Sequence, residues 1–123
     1  MRNRRAVGQE GEALAASYLN ERGMRIVDRN VRCALGEIDL VGLDGDTIVF
    51  VEVRTRSSSV KGSAKESITV GKRRRLVRLA QWYLKLKRWE NRSARFDVVA
   101  VTWIGETPEL DWIPNAFDAF GCL

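Results

Sequence analysis

The strongest constraint on the fold lies in residues 36–56, where two runs rich in Ile, Val, Leu and Phe are separated by Asp44-Gly45. Branched and aromatic side chains fit a pleated, half-buried surface, and an Asp-Gly pair accepts the positive φ angles of a two-residue hairpin turn. Strands at 36–43 and 47–56 are therefore predicted to pair antiparallel. With Asp44 and Gly45 as the turn, Asp39 faces Phe50 and Glu37 faces Glu52. Because side chains alternate along a strand, one face of the hairpin carries Ile38, Leu40, Val49, Val51 and Val53, ready to be covered by a helix. The other carries Glu37, Asp39, Phe50, Glu52 and Arg54.

That second face has two readings. As an ordinary wet face it needs nothing more than a weak surface pair between Glu52 and Arg54. Alternatively, Asp39 and Glu52 are diagonal neighbours about 7 Å apart at the backbone, close enough to share one cation. The run Ile48, Val49, Phe50, Val51, Val53 favours the latter, because so apolar a strand belongs at the centre of a sheet, where a charge needs a partner.

The flanking segments alternate between helical and strand periodicity. Residues 6–22 predict a helix with Gly8, Glu12, Ala15 and Leu19 on one face, ended by Gly23. A strand at 24–32 follows, and after the hairpin residues 57–69, rich in Ser, Gly and Lys, form a surface loop. Residues 70–89 predict a second helix with Leu76, Leu79, Ala80, Tyr83 and Leu86 as its apolar stripe. A strand at 95–104 precedes a short one at 109–113 that Pro114 stops, and Phe117 and Phe120 are expected to pack back on the body. With 123 residues, no repeat and no linker, one domain spanning 1–123 is expected.

Composition narrows the chemistry. The chain has no histidine, and Cys33 and Cys122 form no CxxC pair, which removes a zinc site and a Ser-His-Asp triad from consideration. Any metal must be held by carboxylates, which suit hard cations such as Mg²⁺ or Mn²⁺. No apolar run approaches bilayer length, and the basic start is followed by Glu10 and Glu12, so a cytoplasmic protein without membrane contact is expected.

Net charge is +5, but all 21 Lys and Arg residues precede Phe96, which leaves residues 1–95 at +10 against 11 acids. Such a concentration favours polyanions through counterion release. Arg74, Arg78, Gln81, Lys85, Arg88 and Arg92 recur every three or four residues opposite the Leu76 face, with Lys61, Lys65, Lys72, Arg73 and Arg75 nearby. A solvated helix face accounts for the stripe alone; the added cations make it a phosphate track. Trp82 and Trp89 border it and are suited either to stacking on unpaired bases or to a dimer contact.

Gly36-Glu37-Ile38-Asp39-Leu40 followed by Phe50-Val51-Glu52-Val53-Arg54 resembles the D…ExK signature of the PD-(D/E)XK nuclease superfamily. With Gly8-Gln9-Glu10-Gly11-Glu12-Ala13-Leu14-Ala15, Lys72 opening a helix, Arg95-Phe96-Asp97-Val98 and Asn115-Ala116-Phe117, the chain resembles the YraN-like family of nuclease-like bacterial proteins over nearly its whole length.

The resemblance implies an α/β fold with a restriction-endonuclease-like core in the order α-β-β-β-α-β, a mixed central sheet flanked by helices, similar to archaeal Holliday-junction resolvases. It further implies that Asp39, Glu52 and the Val53 carbonyl hold the metal, joined by Glu12 directly or through water. Arg54 departs from the pattern, which usually places there a lysine that positions or deprotonates the attacking water. A guanidinium stays protonated in proteins and cannot take that proton, although it stabilises phosphate charge. Lys72, in register with Leu76 and Leu79 on the inward stripe, is the expected substitute.

The expected function is a divalent-metal-dependent endonuclease acting on branched, damaged or single-stranded DNA, as a symmetric homodimer if the likeness to resolvases extends so far. Two alternatives stay open: a protein that binds nucleic acid on a nuclease scaffold without cutting it, which Arg54 supports, and a protein-interaction adaptor.

Overall fold

A computed structural model describes residues 4–58 and 68–118. The elements run α1 (Arg4–Glu21), β1 (Arg25–Cys33), β2 (Gly36–Asp44), β3 (Thr47–Ser57), α2 (Val70–Lys87), β4 (Ala94–Ile104) and β5 (Thr107–Phe117). They form an α/β fold in which one five-stranded sheet, ordered β1-β2-β3-β4-β5, is antiparallel except where β3 pairs parallel with β4. Parallel neighbours need a crossover, and α2 supplies it. This architecture is compatible with a restriction-endonuclease-like core. Lys61, Lys65, Phe120 and Cys122 lie outside the described residues.

Each helix covers one face of the sheet. Ala15, Ala16 and Leu19 of α1 are fully buried against Leu40, Val49, Val51, Val99 and Val101. On the other face Leu76, Val77, Leu79, Ala80 and Tyr83 of α2 pack on Ile38, Val41, Ile48, Phe50 and Phe96. Small residues let α1 approach closely: a Cβ at Gly11 would collide with the Thr55 hydroxyl oxygen of β3. That approach carries Glu12 to the sheet.

The structure departs from the sequence-based expectations in four places. The hairpin turn is Gly45-Asp46, closed by the Asp44–Thr47 pair, so Leu40 faces Val51 and Val41 faces Phe50. Positive φ is confined to Gly45 (59°), as a turn with glycine at its first central position requires, and Asp39 therefore does not face Phe50. Second, alternation breaks at Asp39: Ile38 packs on the α2 side and Leu40 on the α1 side, while the face carrying Phe50 and Glu52 is covered by α2, as the central-strand reading expected.

Third, β5 continues through Pro114 to Phe117. An edge strand tolerates a missing N–H, and a register shift with Asn115 in a left-handed conformation (φ 52°) carries the chain past it. Fourth, Leu86 is 61% exposed and Val77 takes the inward place, because Leu86 lies in the last turn of α2, which ends at Arg88 in a left-handed cap.

Candidate metal centre

The acids converge where β2 and β3 separate. Their paired register ends at Leu40–Val51, and beyond it Asp39 turns its carboxylate toward β3, where its Oδ2 accepts from the Val53 N–H at 2.9 Å. Opposite, β1 carries Asn30 in a left-handed conformation (φ 50°), between the pairs Arg29–Leu40 and Val31–Ile38. The local irregularity frees the acids from the alternation of a regular sheet.

Glu12, Asp39 and Glu52 line one cavity of about 510 Å³ together with Val53, Arg54, Thr55, and Lys72. One carboxylate oxygen each of Glu12, Glu37 and Asp39 lies within 4.8 Å of the others. With the Asn30 amide turned so that its nitrogen faces the acids, it donates to Glu37 Oε1 at 2.7 Å and to Glu12 Oε2 at 2.8 Å. Arg32 Nε pairs with Glu37 at 3.3 Å.

The cations reach Glu52 from the other side. Lys72 Nζ stands 3.4 Å and Arg54 NH1 4.0 Å from Glu52 Oε1, and Glu52 is 7% exposed. Thr69 caps α2, its hydroxyl oxygen accepting from the Lys72 N–H at 3.2 Å, so Lys72 sits in the first turn on the helix side that faces the sheet.

Burial, then the neighbouring Glu52, pushes the Asp39 carboxyl up to about 8, and Glu12 and Glu37 add to that rise against the Val53 hydrogen bond. Burial and Glu37 raise Glu12 as well, partly offset by Asn30 and Arg32. Crowded carboxylates of this kind hold a proton or a cation. The acids offer oxygen donors only, and such a set fits a hard divalent ion.

The structure thus brings Glu12, Asp39, Glu52, Val53, Arg54 and Lys72 together. Arg74, Arg78 and Lys85 stand elsewhere, exposed along the outer side of α2. Arg73 turns toward β5, where its Nε donates to the Ile68 carbonyl at 3.1 Å and its guanidinium lies 5.7 Å from the Phe117 ring centre. Trp82 and Trp89 are half-buried against the core, with Trp89 edge-on to Tyr83 at 6.1 Å and under Arg92 at 4.9 Å. Glu37, Asn30 and Thr55 join the site without having been singled out. Glu37 had a signal, two residues before Asp39, whereas Asn30 and Thr55 had none.

A family model described as "Uncharacterised protein family UPF0102" matches residues 11–101. Among the relatives, a UPF0102 protein of Pseudomonas aeruginosa (strain LESB58) is 50% identical over 115 residues, covering 91% of this chain and 92% of the relative. One from Stutzerimonas stutzeri (strain A1501) is 48% identical over 113 residues, 91% of this chain and 94% of that protein. One from Geobacter metallireducens is 43% identical over 114 residues, 93% of each chain.

Proposed function

The chain belongs to the UPF0102 family, and from that premise and the geometry of its acid cavity we propose that it is a divalent-metal-dependent endonuclease of the PD-(D/E)XK superfamily. Its substrate is DNA, with a preference for branched or damaged structures. The observation that carries the reading is Asp39: its carboxyl is forced far above its ordinary range by burial and by three other acids, while Lys72 and Arg54 stand on Glu52. A fold does not hold like charges together without something to reconcile them.

Asp39, Glu52 and the Val53 carbonyl would hold Mg²⁺ or Mn²⁺, with Glu12 binding it directly or through water. When bound, the ion lowers the pKa of a coordinated water and neutralises phosphodiester charge. The chain's own residues supply the rest. The Val53 N–H fixes one Asp39 oxygen and leaves the other to point into the cavity. Asn30 and Arg32 hold Glu37 and, through the Asn30 amide, Glu12 in place. The Lys72 ammonium is positioned to donate to a phosphate oxygen or to orient the attacking water, and Arg54 adds a second positive charge to the scissile phosphate. The exposed Arg74, Arg78 and Lys85 guide the rest of the strand.

Purified protein incubated with junction, flap, gapped and single-stranded DNA in Mn²⁺ should cut at least one of them, and Asp39→Ala and Glu52→Ala should not. Cleavage persisting in both variants would count against the assignment. Lys72→Ala should lower the rate about tenfold to a hundredfold, on the scale of one charged transition-state contact, and more than Arg54→Ala. A second reading, a binding protein that does not cut, is favoured by arginine at position 54. Shifted bands with no product across the panel would select it.

A further inference from the structure

A second cavity of about 240 Å³ lies between α2 and the β4–β5 pair and shares no lining residue with the acid cavity. Its walls are apolar, with Val77, Ala80 and Leu84 from the helix and Phe96 and Phe117 from the strands. Four polar residues, Gln81, Arg95, Asn115 and Asp118, also line it; Gln81, Asn115 and Asp118 are exposed, and the Arg95 guanidinium is tied to Asp97 and Asp44. The strand aromatics are aligned: Phe96 and Phe117 stack with centres 4.9 Å apart and planes at 16°, and Phe50 stacks on Phe96 at 5.7 Å and 30°.

The mouth of the cavity faces cations. Arg74 lies seven residues before Gln81 and Lys85 four after it, on the same side of α2, and both are exposed. The 18 residues of α2 include no Asp or Glu. This helix also joins the two cavities, since Lys72 lines the acid cavity and Gln81 lines this one. At about 1.5 Å of rise per residue their nine-residue separation is about 13 Å along the helix axis, with the two side chains on opposite sides of the helix. Exposed cations beside an apolar slot match a ligand that carries both anions and planar apolar groups.

We propose that this slot receives one unpaired nucleobase of a strand whose phosphates follow α2 from the acid cavity. The inference rests on the nucleic-acid reading above and sharpens it, because a duplex without an unpaired base cannot fill the slot. Selectivity for branched, gapped or damaged DNA then comes from the slot and not from the acids. The base stacks beside Phe96 and Phe117, with its polar edge toward Gln81 at the rim.

The test uses the full chain and single-stranded oligonucleotides that carry one abasic site, moved through each position in turn, with affinity read by fluorescence anisotropy at fixed salt. At one position or a narrow window the missing base should weaken binding by about tenfold or more, the scale of one stacked base. Gln81→Trp, at an exposed mouth position that folding does not depend on, should bring the intact strand down to the abasic level. It should leave both the salt dependence and Mn²⁺ binding by the acids as they are. If intact and abasic strands bind equally at every position while affinity still falls with salt, the slot proposal is overturned and the nuclease reading stands. Absence of binding to any strand at low salt would overturn both. Displacement of the strand by an acidic peptide ending in Phe, without any dependence on the missing base, would assign the slot to a protein partner and overturn the proposal.

Discussion

Two groups of buried acid, on either side of the central strand β3, are treated by this fold in opposite ways. Asp97 on β4 is fully buried and fully satisfied: Arg95 donates to it from Nε at 3.0 Å and NH2 at 3.2 Å, Trp112 Nε1 at 2.9 Å and the Asn115 N–H at 2.9 Å. Arg95 also reaches Asp44 at the hairpin turn, at 2.9 Å, so one carboxylate ties β4 to the β5 irregularity and to β2. Asp39, by contrast, faces Glu52, Glu12 and Glu37 and has one backbone donor. A structural acid is surrounded by donors; acids that crowd one another are held ready for something that arrives later. Asp97 is fully buried and Asp39 half-buried, but what sets the two sites apart is the sign of their neighbours.

The sharpest way to break this contrast is to exchange the losses. Asp39→Asn keeps an acceptor for the Val53 N–H while removing a charge, so DNA cleavage should fall by about a hundredfold to a thousandfold or more. Its melting temperature without metal should stay level or rise. Asp97→Ala should do the reverse, costing about 3–5 kcal/mol in urea unfolding because it leaves the Trp112 and Asn115 N–H donors unpaired and takes one of two carboxylate partners from the part-buried Arg95. A fall in stability for Asp39→Asn that equals the fall for Asp97→Ala would erase the distinction.

A graded effect follows from pH. The folded state holds the Asp39 proton up to about 8, whereas the unfolded chain releases it near 3.8. Its contribution to stability is therefore present in full below the lower value and is lost as pH rises through the higher one. Metal-free protein should show a falling melting temperature across that window, and Mn²⁺ should restore most of the loss at the alkaline end. A flat profile in chelator would mean that the acids do not repel. The smallest effect should be Leu86→Ala, within about 0.5 kcal/mol of wild type by the same unfolding measurement, since its side chain stands in solvent.

The sequence by itself determined the order of elements, the hairpin and the apolar stripes of both helices, because periodicity and turn residues act over a few positions. It also pointed to Glu12, Asp39, Glu52 and Lys72, since their spacings along helix and strand were readable. The tertiary structure decided what those residues face. Gly45-Asp46 in place of Asp44-Gly45 as the turn changed the partner of every residue in the hairpin, and the left-handed Asn30 opposite Asp39 broke the alternation that would have put Ile38 and Leu40 on one side. No local rule records that Lys72 comes within 3.4 Å of Glu52, or that Trp89 turns onto Tyr83. Charge repulsion and side-chain packing act through space, and the separations they depend on exist only once the two helices have closed on the sheet.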